Sequence, residues 1–95
     1  MVASKLAYAS VVVTPESPLV GELIRHAAFR TRFDIAVVGV LRKGTYRLTN
    51  LAYVPIRAGD QILVQGDADA VAKLDKPADF QDVTVYTPEI GRAHV

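Results

Sequence analysis

Cysteine is absent from the chain, so neither a disulfide framework nor a cysteine-built zinc or iron–sulfur site is available. Tryptophan is also missing, and there are only two histidines, His26 and the near-terminal His94. Metal sites need three or four convergent ligands, so no metal site is expected. The longest apolar run, Ile35 to Leu41, is interrupted by Gly39 and falls far short of the roughly 20 residues of a membrane span. No basic segment followed by an apolar one opens the chain, so no signal peptide is read. The net charge is only +1, too little for a basic stripe that grips a nucleic-acid polymer. What is present is a 95-residue chain with 51% hydrophobic residues, enough for one small folded domain.

The charges are segregated. From Pro18 to Ala58 there are seven basic residues against two acidic ones, and from Gly59 onward three basic against seven acidic. A basic middle segment can focus its field on a small anion. The alternative is a set of solvated faces of opposite sign.

Tyr8 to Val13 is rich in β-branched residues and reads as a strand, ended by Thr14-Pro15. Ser17-Pro18 reads as a helix start, with a hydroxyl cap followed by proline at the first helical position. Two i, i+4 rows, Leu19-Leu23-Ala27 and Val20-Ile24-Ala28, predict a helix over Pro18–Ala28. Gly21 within it predicts the close passage of another backbone. Phe29 and Phe33 bracket a charged connector, Arg30-Thr31-Arg32.

Asp34–Leu41 predicts a central strand with a bend or close approach at Gly39. Arg42-Lys43-Gly44 is a turn and Thr45–Leu48 a return strand, which together make a hairpin. Asn50–Arg57 is irregular, and Ala58-Gly59-Asp60 is a turn. Gln61–Gln65 predicts a strand broken by Gly66, and Asp67 caps a short helix from Ala68 to about Leu74 that Lys76-Pro77 stops. The fold class is α+β in the order β-α-β-β-β-α, over a domain of residues 8–75.

Residues 76–95 are expected to be a linker and the possible first strand of a second, truncated copy. Val83–Glu89 reads VTVYTPE where Ser10–Glu16 reads SVVVTPE, so Thr14-Pro15-Glu16 returns as Thr87-Pro88-Glu89, 73 positions on.

No paired carboxylates, nucleophile elbow or glycine-rich phosphate loop is present, so no enzyme and no catalytic residue is expected. Asp60 and Asp67 read as turn and cap residues. The candidate ligand-binding residues are Arg42, Arg47 and Asn50. The two arginines flank the hairpin turn and the asparagine follows its return strand, so their guanidiniums and amide lie near one sheet end. That set suits bidentate capture of a phosphate or carboxylate. The competing reading is that these are exposed charges keeping a sheet edge soluble.

Three segments together resemble the TrkA-C domain, also called RCK-C, the C-terminal domain of regulators of potassium conductance. They are Ser17-Pro18-Leu19-Val20-Gly21, the stretch Phe33–Gly44 (FDIAVVGVLRKG) and the stretch Ile56–Asp67 (IRAGDQILVQGD). The resemblance covers about Ala9 to Leu74. It implies the same β-α-β-β-β-α fold, a homodimer, and a ligand cleft between protomers. It also implies a non-catalytic regulatory domain on the cytoplasmic side of an inner-membrane transporter or channel, with no cofactor and with the membrane-embedded portion of the same protein as partner. Some members bind cyclic di-AMP or other nucleotides, and Arg42 stands at the matching strand end. Tandem copies resemble those of sulfate- and dicarboxylate-type permeases, which fits the echo at residue 83. The alternative function is a purely structural dimerisation module with no ligand.

Overall fold

The structure is a computed structural model that describes residues 5–86. Five antiparallel strands form one sheet: β1 (Leu6–Val13), β2 (Ile35–Arg42), β3 (Thr45–Arg47), β4 (Gln61–Asp67) and β5 (Phe80–Tyr86), in the spatial order β3-β2-β4-β1-β5. Two short α-helices, α1 (Phe29–Phe33) and α2 (Ala68–Ala72), pack on it, α1 against β2 and α2 against β1 and β4.

Side chains alternate across a strand, so one face of β1 presents Ala7, Ala9, Val11 and Val13 to the core, all fully buried. Ile35 and Val40 of β2 and Ile62 and Val64 of β4 extend that layer, and Val71 and Leu74 close it from the helical side. Phe29, Phe33 and Phe80 form an aromatic cluster with centroids 5.2–6.3 Å apart.

The expected element order stands, with the first helix displaced. Residues 18–28 do not form the predicted α-helix. Ser17 does act as a cap, its hydroxyl accepting from the Leu19 N–H at 3.0 Å, but a single turn follows. Gly21 then adopts φ +93°, which ends the turn. Its N–H donates to the Ile56 carbonyl, while the Ile56 and Ile24 N–H groups donate to the Glu22 and Val54 carbonyls. An isolated 11-residue helix is marginal. Pairing with residues 54–56 satisfies the backbone on both segments and wins. Another backbone does pass beside Gly21, with the Ile56 carbonyl 2.8 Å from its N–H, but nothing beyond its chain neighbours lies within 4 Å of a Cβ built there, so it is the positive φ that calls for glycine. A 3₁₀ turn at Ile24–His26 follows, and the helix forms one step later, in the stretch read as a connector. Phe29 and Phe33, four apart, place both rings on one side of it, against Phe80.

The β2–β3 hairpin and the turn before β4 lie where expected, while Gly66 is a correction. Instead of breaking the strand it is paired on both sides, with Ala7 and Ile35. A Cβ there would sit 3.1 Å from the Asp34 carbonyl oxygen and 3.1 Å from Ile35 Cγ2, so the glycine admits the start of β2. Asp67 caps α2 as expected, accepting from the Asp69 N–H at 3.2 Å. Residues 80–86 of the expected tail form β5, paired to β1, and the expected Thr87-Pro88-Glu89 lies outside the described residues.

Candidate functional site

The basic hairpin is built by two residues of positive φ, Lys43 (50°) and Gly44 (79°), the combination that a tight two-residue hairpin turn requires. Its register pairs Val40 with Arg47 and Arg42 with Thr45. Opposed residues share a face, so these four side chains emerge together. With Val54 they line a hollow of about 200 Å³.

Arg42 is the anchor of this corner. Its Nε donates to Asp60 Oδ1 at 2.8 Å and its Nη2 to Asp60 Oδ2 at 2.6 Å, with a further bond from Nη2 to the Pro55 carbonyl at 2.8 Å. Asp60 is 3% exposed and also accepts the Arg57 N–H at 2.9 Å, so the expected turn role holds and an ion pair is added to it. The hydrogen bond to Asp60, helped by its charge, pushes the Arg42 pKa up despite some burial. The arginine therefore ties the hairpin to the turn preceding β4, with its Nε and Nη2 already engaged.

Arg47 is exposed, and its one side-chain bond among the described residues is a long 3.4 Å donation from Nε to the Thr49 carbonyl. Its guanidinium is the group at the hollow with donors to spare. Asn50 takes φ +55° at the head of a 3₁₀ turn (Leu51–Tyr53), is exposed, and does not line the hollow. The structure thus brings Arg42 and Arg47 together and leaves Asn50 apart.

A second basic surface was not legible in the sequence. The Arg25 guanidinium lies 5.2 Å from the centroid of the Tyr53 ring and donates to its hydroxyl at 3.1 Å. It borders a groove of about 480 Å³ floored by Ile24, Phe29, Ile35 and Val37, with Arg30 also on the wall. The partners are 28 positions apart, and the only sign in the sequence was an arginine off the apolar stripe. Among the described residues no cluster of three or more His, Asp or Glu suits a metal ion, and no helix is long and apolar enough to cross a membrane.

Comparison with known proteins agrees with this architecture. The Uncharacterized transporter YfbS of Escherichia coli K12 is 39% identical over 82 residues, which are 85% of this chain and 13% of that protein. The chain therefore spans about an eighth of that relative. The RCK_C domain dimer of S. agalactiae BusR in complex with c-di-AMP superposes with a TM-score of 0.64 at 22% identity, over 73% of this chain and 91% of that one. S. agalactiae BusR in complex with its busA-promotor DNA matches with a TM-score of 0.64 at 23% identity, over 79% of this chain and 39% of that one. The TrkA-C domain matches residues 8–78, and the chain belongs to that family.

Proposed function

We propose that this TrkA-C domain is a non-catalytic regulatory module of a membrane transporter. In this reading it works on the cytoplasmic side of the inner membrane as a pair of copies and takes a small anionic ligand, nucleotide-like or carboxylate, in the cleft between them. The membrane-embedded portion of the same protein is its partner. The observation that carries the reading is Arg47, which forms no ion pair among the described residues and lines a hollow whose other arginine is fixed by Asp60. Ligand pockets commonly span about 300–1,000 Å³. The hollow of one copy, about 200 Å³, is smaller than that range, which favours a site completed by a second copy facing it. The naming of one relative as a transporter and of another as a dimer with c-di-AMP supports the same reading.

A ligand regulates only by favouring one pair geometry over another, so its affinity must differ between them. The domain occupies residues 8–75 in this reading, and the tail leads into a second copy. A nucleic-acid polymer is not the proposed partner. The BusR complex with DNA concerns a chain of which this domain matches 39%.

A second reading, a pairing module without ligand, is favoured by one observation: the Arg42 fork is already filled by Asp60. Calorimetric titration with cyclic dinucleotides, mononucleotides and dicarboxylates separates the two. Saturable heat supports the sensor; no heat from any of them at millimolar concentration supports the structural module.

A further inference from the structure

Both α-helices pack on one face of the sheet, and the other face is left open. Ile62 and Val64 of β4 point into the core, so Gln61, Leu63 and Gln65 point away from it. Their register partners on β1 and β2 do the same, such as Ser10 and Gly39 opposite Leu63. An antiparallel sheet with one solvated face ordinarily lines that face with polar side chains. Followed out to Tyr46 on β3 and to Thr84 and Tyr86 on β5, the paired positions described on this face include no Lys, Arg, Asp or Glu, although 22% of the chain is charged. Asp67, next in the alternation, turns to cap α2, and Asp82 lies in the β5 bulge outside the register pairs.

What this face exposes instead is apolar and aromatic. Tyr46 is 62% exposed, Leu48 61% and Tyr86 51%. Leu48 leans over the face, since a Cβ built on Gly39 would sit 2.9 Å from its Cδ2. Between the two tyrosines lies a depression of about 190 Å³ that Ser10, Leu41, Gln61 and Leu63 complete. The Gln61 amide donates to the Ser10 hydroxyl, so these two polar groups already satisfy each other and can be covered without loss.

We propose that the open face binds the same face of a second copy, the two sheets stacking about 10 Å apart. Its chemistry suits a copy better than an unlike partner. A two-fold pair needs projection and recess on one patch, and here Tyr46 and Leu48 stand beside the depression. A face without charge meets itself with no like-charge repulsion, whereas unlike partners are selected by opposite charge. Its Ser, Thr, Gln and Tyr groups both donate and accept, so each can pair with its own kind. Depletion of charge with enrichment of tyrosine is also the composition of an interface core. Five strands about 4.8 Å apart and about six residues long cover about 500 Å² per copy, so a pair buries about 1,000 Å², the size of a specific interface. The lack of Lys and Arg speaks against an anionic membrane surface as the occupant. Leu41 and Tyr46 alternate with the residues lining the hairpin hollow, which therefore opens on the opposite side. This seam is separate from the one proposed for the ligand, and either can fail alone.

The test is sedimentation of the full chain at rising concentration against three variants. Leu63→Lys and Tyr46→Lys each place a charge within the face. Val20→Lys places one at a position that is 40% exposed and lies off the sheet, as the control. The parent and Val20→Lys are expected to reach twice the mass of the two face variants at equal concentration, with the same far-ultraviolet circular dichroism throughout. Face variants that keep both the parent's circular dichroism and its mass overturn the proposal. So does a Val20→Lys that dissociates equally, or a parent that stays a single chain at millimolar concentration. A single-chain parent that floats with phosphatidylcholine vesicles, where Tyr46→Lys does not, assigns the face to lipid and also overturns it. If Leu63→Lys fails to fold, Tyr46→Lys decides, because that side chain is mostly in water.

Discussion

Arg42 donates to both carboxylate oxygens of Asp60, at 2.8 and 2.6 Å, across 18 positions of sequence. The contact joins the end of β2 to the turn before β4 and sets the position of the hairpin that carries Arg47. A buried carboxylate that loses its partner is costly, while the arginine side chain itself is 31% exposed, which screens part of the interaction. Arg42→Ala is expected to destabilise the domain by about 2 kcal/mol, and Arg42→Lys by less, since lysine restores charge but not the fork. Urea denaturation measures both.

The pair also fixes a pH response. Its hydrogen bond raises the Arg42 pKa, so the stability it contributes is fully present below the ordinary arginine value and is lost only as pH rises through the raised one. The difference in urea midpoint between the parent and Arg42→Ala is therefore expected to stay level from pH 7 to pH 9. A difference that shrinks across that window would contradict the arginine's role.

Gly21 offers a test of sign. Were residues 18–28 helical, Gly21→Ala would stabilise by about 1 kcal/mol. At φ +93° the same change introduces strain and is expected to destabilise by roughly 1–2 kcal/mol. Thermal melting of the single variant gives the answer.

Phe80 opens β5, is 5% exposed, and stacks with Phe29 at 6.3 Å. Phe80→Ala is expected to cost about 3–5 kcal/mol, the usual range for emptying an aromatic core site. A loss under 1 kcal/mol, read by denaturant titration, would mean that β5 contributes little to the domain.

These residues also show where the sequence was readable. β1, β2 and β4 were legible because β-branched alternation and long apolar runs report burial directly, and the hairpin because Lys43-Gly44 separates two such runs. The segment 18–28 misled because Leu19, Ile24 and Ala27 are buried as a helix would bury them, while the deciding hydrogen bonds come from Val54 and Ile56, some 30 positions away. Gly66 misled because a glycine that ends a strand and one that admits a neighbour look alike in sequence. At the site, Arg42 and Arg47 were legible as a pair through the hairpin register. Asp60 as the partner of Arg42 was hidden, since its turn position already explained it. Asn50 was grouped with them by proximity in sequence, but it sits in a left-handed backbone conformation at the head of the 3₁₀ turn and does not line the hollow.

Arg47 is proposed to receive an anion at a seam between two copies. The most direct test is a calorimetric titration of the domain and of Arg47→Ala with a cyclic dinucleotide, a mononucleotide and a dicarboxylate. Saturation near one ligand per two chains is expected for at least one of them. Arg47→Ala is expected to lose that binding with the melting temperature nearly unchanged, because the side chain is exposed. Binding that survives Arg47→Ala undiminished, or no binding by the parent domain at all, would contradict the proposal.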